Sequence, residues 1–284
     1  MNSEQLAWRI RRHVLEMTHK SHGSHIGSAL SVTDILAVLY CDIAKFDSND
    51  PHMPDRDRIV LSKGHGGAAM YAVLAECGFF SITELLNHYS DGSYFSGHIS
   101  HLNIPGVEFS TGSLGHGFPV SVGMAMAAKR DSQAHHVFAI CGDGECDEGS
   151  VWETALTAAA FHLDNLILTI DFNGLQCLGA CEQIIDLEPF EQKWQAFGWN
   201  TIVCNGHDHE QLKKAYLSAE KNIGKPTAII ARTVKGKGIS FMENQVLWHF
   251  RFPHDGEEYD NALSELKSCK PIDISDPYEL EVEP

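Results

Sequence analysis

From residue 137 to residue 231 short apolar runs alternate with longer stretches of helical spacing. Residues 137–141 read as a strand that runs straight into Gly142. Residues 151–162, rich in Ala, read as a helix, and residues 166–170 as a second strand that ends at Asp171. Residues 201–204 give the next strand, 209–221 a helix and 227–231 a further strand. Strands alternating with helices imply βαβ units and a mostly parallel sheet covered by helices on both faces. The expected class is α/β, and ligands of such sheets sit outside the carboxyl ends of the strands. Upstream, Leu6, Ile10, Val14 and Leu15 recur at helical spacing over residues 6–17. A second helix is expected over 31–40, where Ser-Val-Thr-Asp offers N-cap chemistry and Leu30, Ile35, Leu36 and Leu39 share a face. Residues 59–61 read as a short strand, 66–78 as a buried helix and 120–128 as an Ala/Met-rich helix. With no internal repeat and no long linker, residues 1–267 read as one domain. Residues 268–284, acidic and Pro-containing, read as an extended or loosely ordered tail.

A chain of 284 residues can bury a full core. Its net charge of −17 argues against nucleic acid or an anionic membrane as the main partner. Local clusters of His and backbone N–H groups could still bind phosphate. No apolar run is expected to reach the ~20 residues of a membrane span. The N-terminus carries no signal-peptide pattern, so a cytoplasmic location is expected. The eight scattered cysteines fit reduced thiols, and Cys177 with Cys181 lacks the second pair of a zinc site.

The densest chemistry begins at the end of the first regular strand: Gly142-Asp143-Gly144-Glu145, then Glu148-Gly149, Trp152-Glu153, and finally Asp171-Phe172-Asn173. Gly142 and Gly144 permit a sharp turn and a close backbone approach to a ligand. Asn173 follows Asp143 by about thirty residues, one βα unit on. Neighbouring parallel strands would set the two side by side. A carboxylate oxygen, an amide oxygen and a backbone carbonyl are hard ligands suited to Mg²⁺ or Ca²⁺, completed by a diphosphate and water. Gly-Asp-Gly alone could equally be a turn, and Asn173 a helix cap.

This string, with a strand between its halves, resembles the thiamine-diphosphate motif of the transketolase family. It is most similar to the N-terminal subunits of split, two-chain transketolases, over about residues 6–254. The resemblance implies a domain that binds thiamine diphosphate and Mg²⁺, with Ca²⁺ or Mn²⁺ as substitutes. Asp143, Asn173 and the Leu175 carbonyl would be the metal ligands, and Gly142, Gly144 and Glu145 would belong to the cofactor loop. Four histidine segments match the family: Ser24-His25-Ile26-Gly27, Leu61-Ser62-Lys63-Gly64-His65-Gly66, Ser96-Gly97-His98 and Trp248-His249. By resemblance His65 and His249 contact the diphosphate, and His25, His65 and His98 line the donor-sugar channel. Imidazole suits these roles, since it donates to phosphate and sugar oxygens and exchanges protons near neutral pH. The flanks of His25 depart from the family's Gly-His-Pro-Gly. In Thr111-Gly112-Ser113-Leu114-Gly115-His116-Gly117 the backbone near Gly112 and the Leu114 side chain would meet the aminopyrimidine, with His116 replacing the usual Gln. Glu148 and Glu153 read either as surface carboxylates at a helix N-terminus or, by resemblance, as an interface proton relay between active sites.

The implied reaction moves a two-carbon ketol unit from a ketose or ketose phosphate to an aldose. The glutamate that activates the pyrimidine, and the arginines that grip the sugar phosphate, belong to the family's following domain. A C-terminal partner subunit is therefore expected, in an α₂β₂ assembly. Two alternatives remain at this point: the α-subunit of a 2-oxo acid dehydrogenase, and a non-catalytic cofactor-binding subunit.

Overall fold

The computed structural model describes residues 1–279. Five strands, β1 (Arg58–Leu61), β2 (Val137–Gly142), β3 (Leu166–Phe172), β4 (Asn200–Asn205) and β5 (Thr227–Arg232), form one sheet in the order β1-β2-β3-β5-β4. Every pairing is parallel, and Gly142 stands opposite Asp171 at the carboxyl end. The α/β expectation holds. The described helices are α1 (Ser3–Ser21), α2 (Ile26–Val38), α3 (Gly67–Glu76), α4 (Gly117–Arg130), α5 (Gly149–Ala160), α6 (Cys181–Ile184), α7 (Phe190–Ala196), α8 (His209–Glu220) and α9 (Glu257–Ser268).

The two-residue period of the central strands splits the core in two. Phe138 and Ile140 of β2 and Ile229 of β5 join one apolar cluster with Val14, Leu36, Val73 and Tyr216. Val137, Ala139 and Cys141 join the other, with Phe118, Val151, Trp194 and Trp199. The sheet is thus buried on both faces, α1, α2, α3 and α8 on one side and α4, α5 and α7 on the other.

Several expectations need correction. The second helix begins at Ile26, not near residue 31, and continues past Val38 as a wider π-type turn over Leu39–Ile43. Ser31 is therefore no N-cap. It is fully buried in mid-helix, where its hydroxyl lies 3.1 Å from the Ser28 carbonyl and 2.6 Å from the Asp171 carboxylate. This early start makes Ile26–Ile43 an 18-residue stretch long and apolar enough to cross a membrane, contrary to the sequence expectation. Of that stretch 83% is buried in the fold, which makes it a central core helix. Helices α6, α7 and α9 were not anticipated. Past α9 the chain runs through turns and irregular backbone anchored to α1: buried Asp276 accepts from Arg12 Nε at 3.1 Å, and the Tyr278 hydroxyl meets His13 Nδ1 at 2.7 Å. The end of the expected tail, residues 280–284, lies outside the described residues.

Candidate active site

The site forms where β2 and β3 end side by side. Asp143 begins the turn after β2 and ties the two loops together. One carboxylate oxygen accepts from the Gly144 N–H at 2.8 Å and the other from the Gly174 N–H at 2.5 Å. Asn173 is thereby held next to Asp143, and its amide oxygen accepts from the Leu175 N–H at 3.1 Å. A third loop arrives through Gly64, where a Cβ would overlap the Thr111 carbonyl. Glycine allows the contact, and three bonds lock it: Ile99 N–H to the Gly64 carbonyl (3.0 Å), Thr111 N–H to the Ile99 carbonyl (3.2 Å) and Thr111 Oγ1 to the Leu61 carbonyl (2.6 Å). His65, His98 and Gly112 thus become neighbours from three separate stretches of chain.

The resulting cavity, about 190 Å³, is bordered by His25, His65, His98, His249, Gly112, Leu114, Gly142, Asp143, Gly144, Glu145, Asn173 and Leu175. All twelve were expected at a site from the sequence. The four imidazoles form one cluster, with His25 ring centroids 5.5, 5.1 and 5.0 Å from those of His65, His98 and His249. His25 sits in the left-handed region (φ 75°) ahead of α2, and its N–H donates to the His249 carbonyl at 3.0 Å. Its altered flanks therefore leave it in the cluster, with Nδ1 buried and unpartnered.

Other expected residues are placed differently. Glu145 borders the cavity, but its carboxylate is taken up by the Ser62 hydroxyl and by the Gly115 and Gly142 N–H groups, at 2.9 and 3.2 Å. It braces three loops. Glu148 and Glu153 are exposed at the start of α5 and along it, outside the cavity lining. His116 is exposed, with Nδ1 2.9 Å from the Leu114 carbonyl.

Two lysines that border the cavity had no role assigned from the sequence, although Lys63 lies within a segment quoted above. Lys63 is buried against Asp171, whose carboxylate also accepts from Ser31 and Thr233. Lys235 is 1% exposed, and its Nζ meets the Leu175 carbonyl at 3.0 Å and His249 Nδ1 at 2.9 Å, neither of them an anion. Burial, then the nearby Lys63 charge, lowers its pKa to about 8. Burial likewise lowers His25 to about 4 and His249 to about 3, and holds His65 well below the usual imidazole range. Asp143 is raised to about 6, chiefly by burial.

A buried ammonium without a direct ion-pair partner is costly; the Asp143 and Asp171 charges relieve Lys235 in part, and an arriving anion would offset the rest. Beside this lysine, Asp143, Asn173 and the Leu175 carbonyl, which the Lys235 ammonium itself bonds, offer three hard oxygens. Among the described residues no group of three His, Cys, Asp or Glu is placed to hold a metal by itself. A hard cation here would draw further oxygens from a bound ligand, and a diphosphate meets both demands. The residues present therefore fit thiamine diphosphate with a divalent cation.

The family described as "Transketolase, thiamine diphosphate binding domain" matches residues 2–251. The chain is 42% identical over 258 residues to the 6-deoxy-6-sulfo-D-fructose transketolase subunit SqwG of Clostridium sp. (strain MSTE9), covering 91% of this chain and 94% of that one. It is 42% identical over 265 residues to an apulose-4-phosphate transketolase subunit of Actinobacillus succinogenes, covering 93% and 95%. The solved transketolase of Campylobacter jejuni superposes with a TM-score of 0.88 at 33% identity, over 94% of this chain but only 43% of that one. Family match, relatives and superposed fold agree: the chain belongs to the transketolase family of transferases, as its thiamine diphosphate-binding domain.

Proposed function

We propose that this chain is the diphosphate- and Mg²⁺-binding subunit of a cytoplasmic two-chain transketolase, which moves a two-carbon ketol unit from an anionic ketose to an aldose. The observation that carries the reading is the cavity itself, where a buried Lys235 hydrogen-bonded only to neutral groups and four clustered histidines meet Asp143 and Asn173. Asp143, Asn173 and the Leu175 carbonyl would hold the cation, with Lys235, His65 and His249 turned to the diphosphate. Gly112 and Leu114 would form the wall against the aminopyrimidine. When bound, thiamine diphosphate supplies the nucleophilic carbon and the electron sink for breaking a ketose carbon–carbon bond. The chain's own part is orientation and proton handling. Burial keeps His25, His65 and His249 neutral near pH 7, so each can accept a hydroxyl proton at one ring nitrogen while donating from the other. His98 completes the set at the sugar end.

The relatives are named as subunits, which supports a partner chain. We place the activating glutamate on a C-terminal subunit, in an α₂β₂ complex with Glu148 and Glu153 at the interface. The sugars in the relatives' names, 6-deoxy-6-sulfo-D-fructose and apulose 4-phosphate, support a ketose with an anionic group. The test is to co-express the chain with its partner and assay ketose phosphates, sulfonated ketoses and 2-oxo acids with thiamine diphosphate and Mg²⁺. Ketol transfer by the pair and none by the isolated chain is expected. Turnover by the isolated chain, or a preference for 2-oxo acids, would overturn the proposal.

A further inference from the structure

Lys235 sits on the loop that follows β5, and the way this loop is held leads to a group away from the cavity. Asp34, in the middle of α2, is buried and accepts four bonds. Arg11 donates through both terminal nitrogens, at 2.9 and 2.6 Å. His207 Nδ1 lies 2.6 Å from one carboxylate oxygen, and His209 Nε2 lies 3.1 Å from the other. A carboxylate has about four lone-pair sites, so all are occupied and Asp34 acts only as acceptor. Burial alone would raise its pKa, but the Arg11 charge and the two imidazole bonds win and hold it well below the usual carboxylate range.

This fixes the chemistry of His207. Its Nδ1 must carry a hydrogen to bond Asp34. Its Nε2 lies 2.8 Å from the Val234 N–H and must accept. Only the neutral Nδ1–H tautomer satisfies both ends. Arg11 makes a matching contact, its Nε donating to the Lys237 carbonyl at 3.1 Å. Asp34 thus grips the loop through two arms, one at Val234 and one at Lys237, on either side of Lys235. The His207 arm is itself set between neighbouring strands: Gly206 N–H donates to the Arg232 carbonyl at 2.7 Å, and His207 N–H to the Asn205 side chain at 3.0 Å.

We infer that His207 is a positioning residue, which through a fixed tautomer joins Asp34 to the Val234 amide and so aims Lys235 into the cavity. This rests on the proposed role of Lys235 at the diphosphate. Two substitutions separate the ends of the ring: His207→Asn keeps an amide near Nδ1 and loses the acceptor for Val234, whereas His207→Gln places an amide oxygen near Nε2.

The first readout needs no ligand: amide hydrogen exchange at Val234, with the NMR chemical shift of the Lys235 ε-methylene beside it. His207→Asn should lose the protection at Val234 and move the Lys235 signal, and His207→Gln should leave both unchanged. The second is calorimetric titration of inorganic pyrophosphate with Mg²⁺. His207→Asn should weaken binding about tenfold, the worth of one such bond, and His207→Gln by no more than about twofold. Unchanged Val234 exchange, Lys235 signal and affinity in His207→Asn, or equal impairment of both variants, would overturn the inference. Absence of pyrophosphate binding in the unsubstituted chain, with the His207→Asn shift of Lys235 intact, would refute the diphosphate reading and leave the positioning role supported. Should circular dichroism show His207→Asn unfolded, amide hydrogen exchange at Val234 decides. Protection retained in His207→Gln supports the role, and protection lost overturns it.

Discussion

Replacing Lys235 with Met should stabilise the ligand-free chain while abolishing most of its affinity for a diphosphate. The lysine pKa falls from 10.5 to about 8 on folding. At about 1.36 kcal/mol per unit, the buried charge costs the folded state roughly 3 kcal/mol at neutral pH. A folded-state pKa below the unfolded one means that the unfolded chain binds more protons between pH 8 and 10.5, so stability from this group rises with pH through that window. Met has nearly the same shape and no charge. It leaves the Leu175 carbonyl and His249 Nδ1 without their donor, at about 1 kcal/mol each. The net expectation is a gain of about 1 kcal/mol at pH 7, shrinking or reversing near pH 10.5. Urea unfolding of the ligand-free chain at several pH values measures the first half, and calorimetry with pyrophosphate and Mg²⁺ the second. A Lys235→Met chain clearly less stable than its parent at pH 7, or one that binds pyrophosphate equally well, would refute the idea of an uncompensated charge kept for an anion.

Three further outcomes follow from the same geometry. Asp143→Asn keeps the shape and removes a carboxylate raised by burial to about 6. It should leave folding intact and weaken Mg²⁺-dependent thiamine diphosphate binding by at least about tenfold, so calorimetry showing unchanged affinity would remove Asp143 from the metal site. Gly64→Ala places a Cβ against the Thr111 carbonyl and should cost about 2–3 kcal/mol, read as a lowered urea midpoint. A cost near zero would mean that the loop contact is loose. Trp194→Ala empties the centre of the second cluster, where Trp194 is fully buried, and should cost about 3–5 kcal/mol without moving the affinity of the folded protein for pyrophosphate.

Much of the sheet was legible because short continuous apolar runs bounded by Gly, Asp and Asn leave few alternatives. All five strands were located, with ends displaced by at most two residues. The exchange of β4 and β5 in the spatial order was not legible, since nothing local records which strand lies at the edge. The start of α2 was misplaced because Ser31 to Asp34 mimics an N-cap. Ser31 and Asp34 instead serve tertiary partners, Asp171 and the Arg11–His207–His209 group. In the site, the motif string and the four histidine segments carried the family resemblance, and the structure brings all four rings together. Lys63 and Lys235 escaped notice because a lysine in a sequence reads as a solvated charge, and only the fold reveals that both are buried. The work of Glu145 was hidden for a related reason: beside a Gly-Asp-Gly turn a carboxylate reads as ligand-facing, and its spacing cannot show that three loops claim its oxygens.

The most direct test of the account is calorimetric titration of thiamine diphosphate with Mg²⁺ into the chain alone and into the chain co-purified with its C-terminal partner. Binding that is tight only in the complex, and lost there in Asp143→Asn and Lys235→Met, is the expected result. A folded complex that binds no thiamine diphosphate would contradict it.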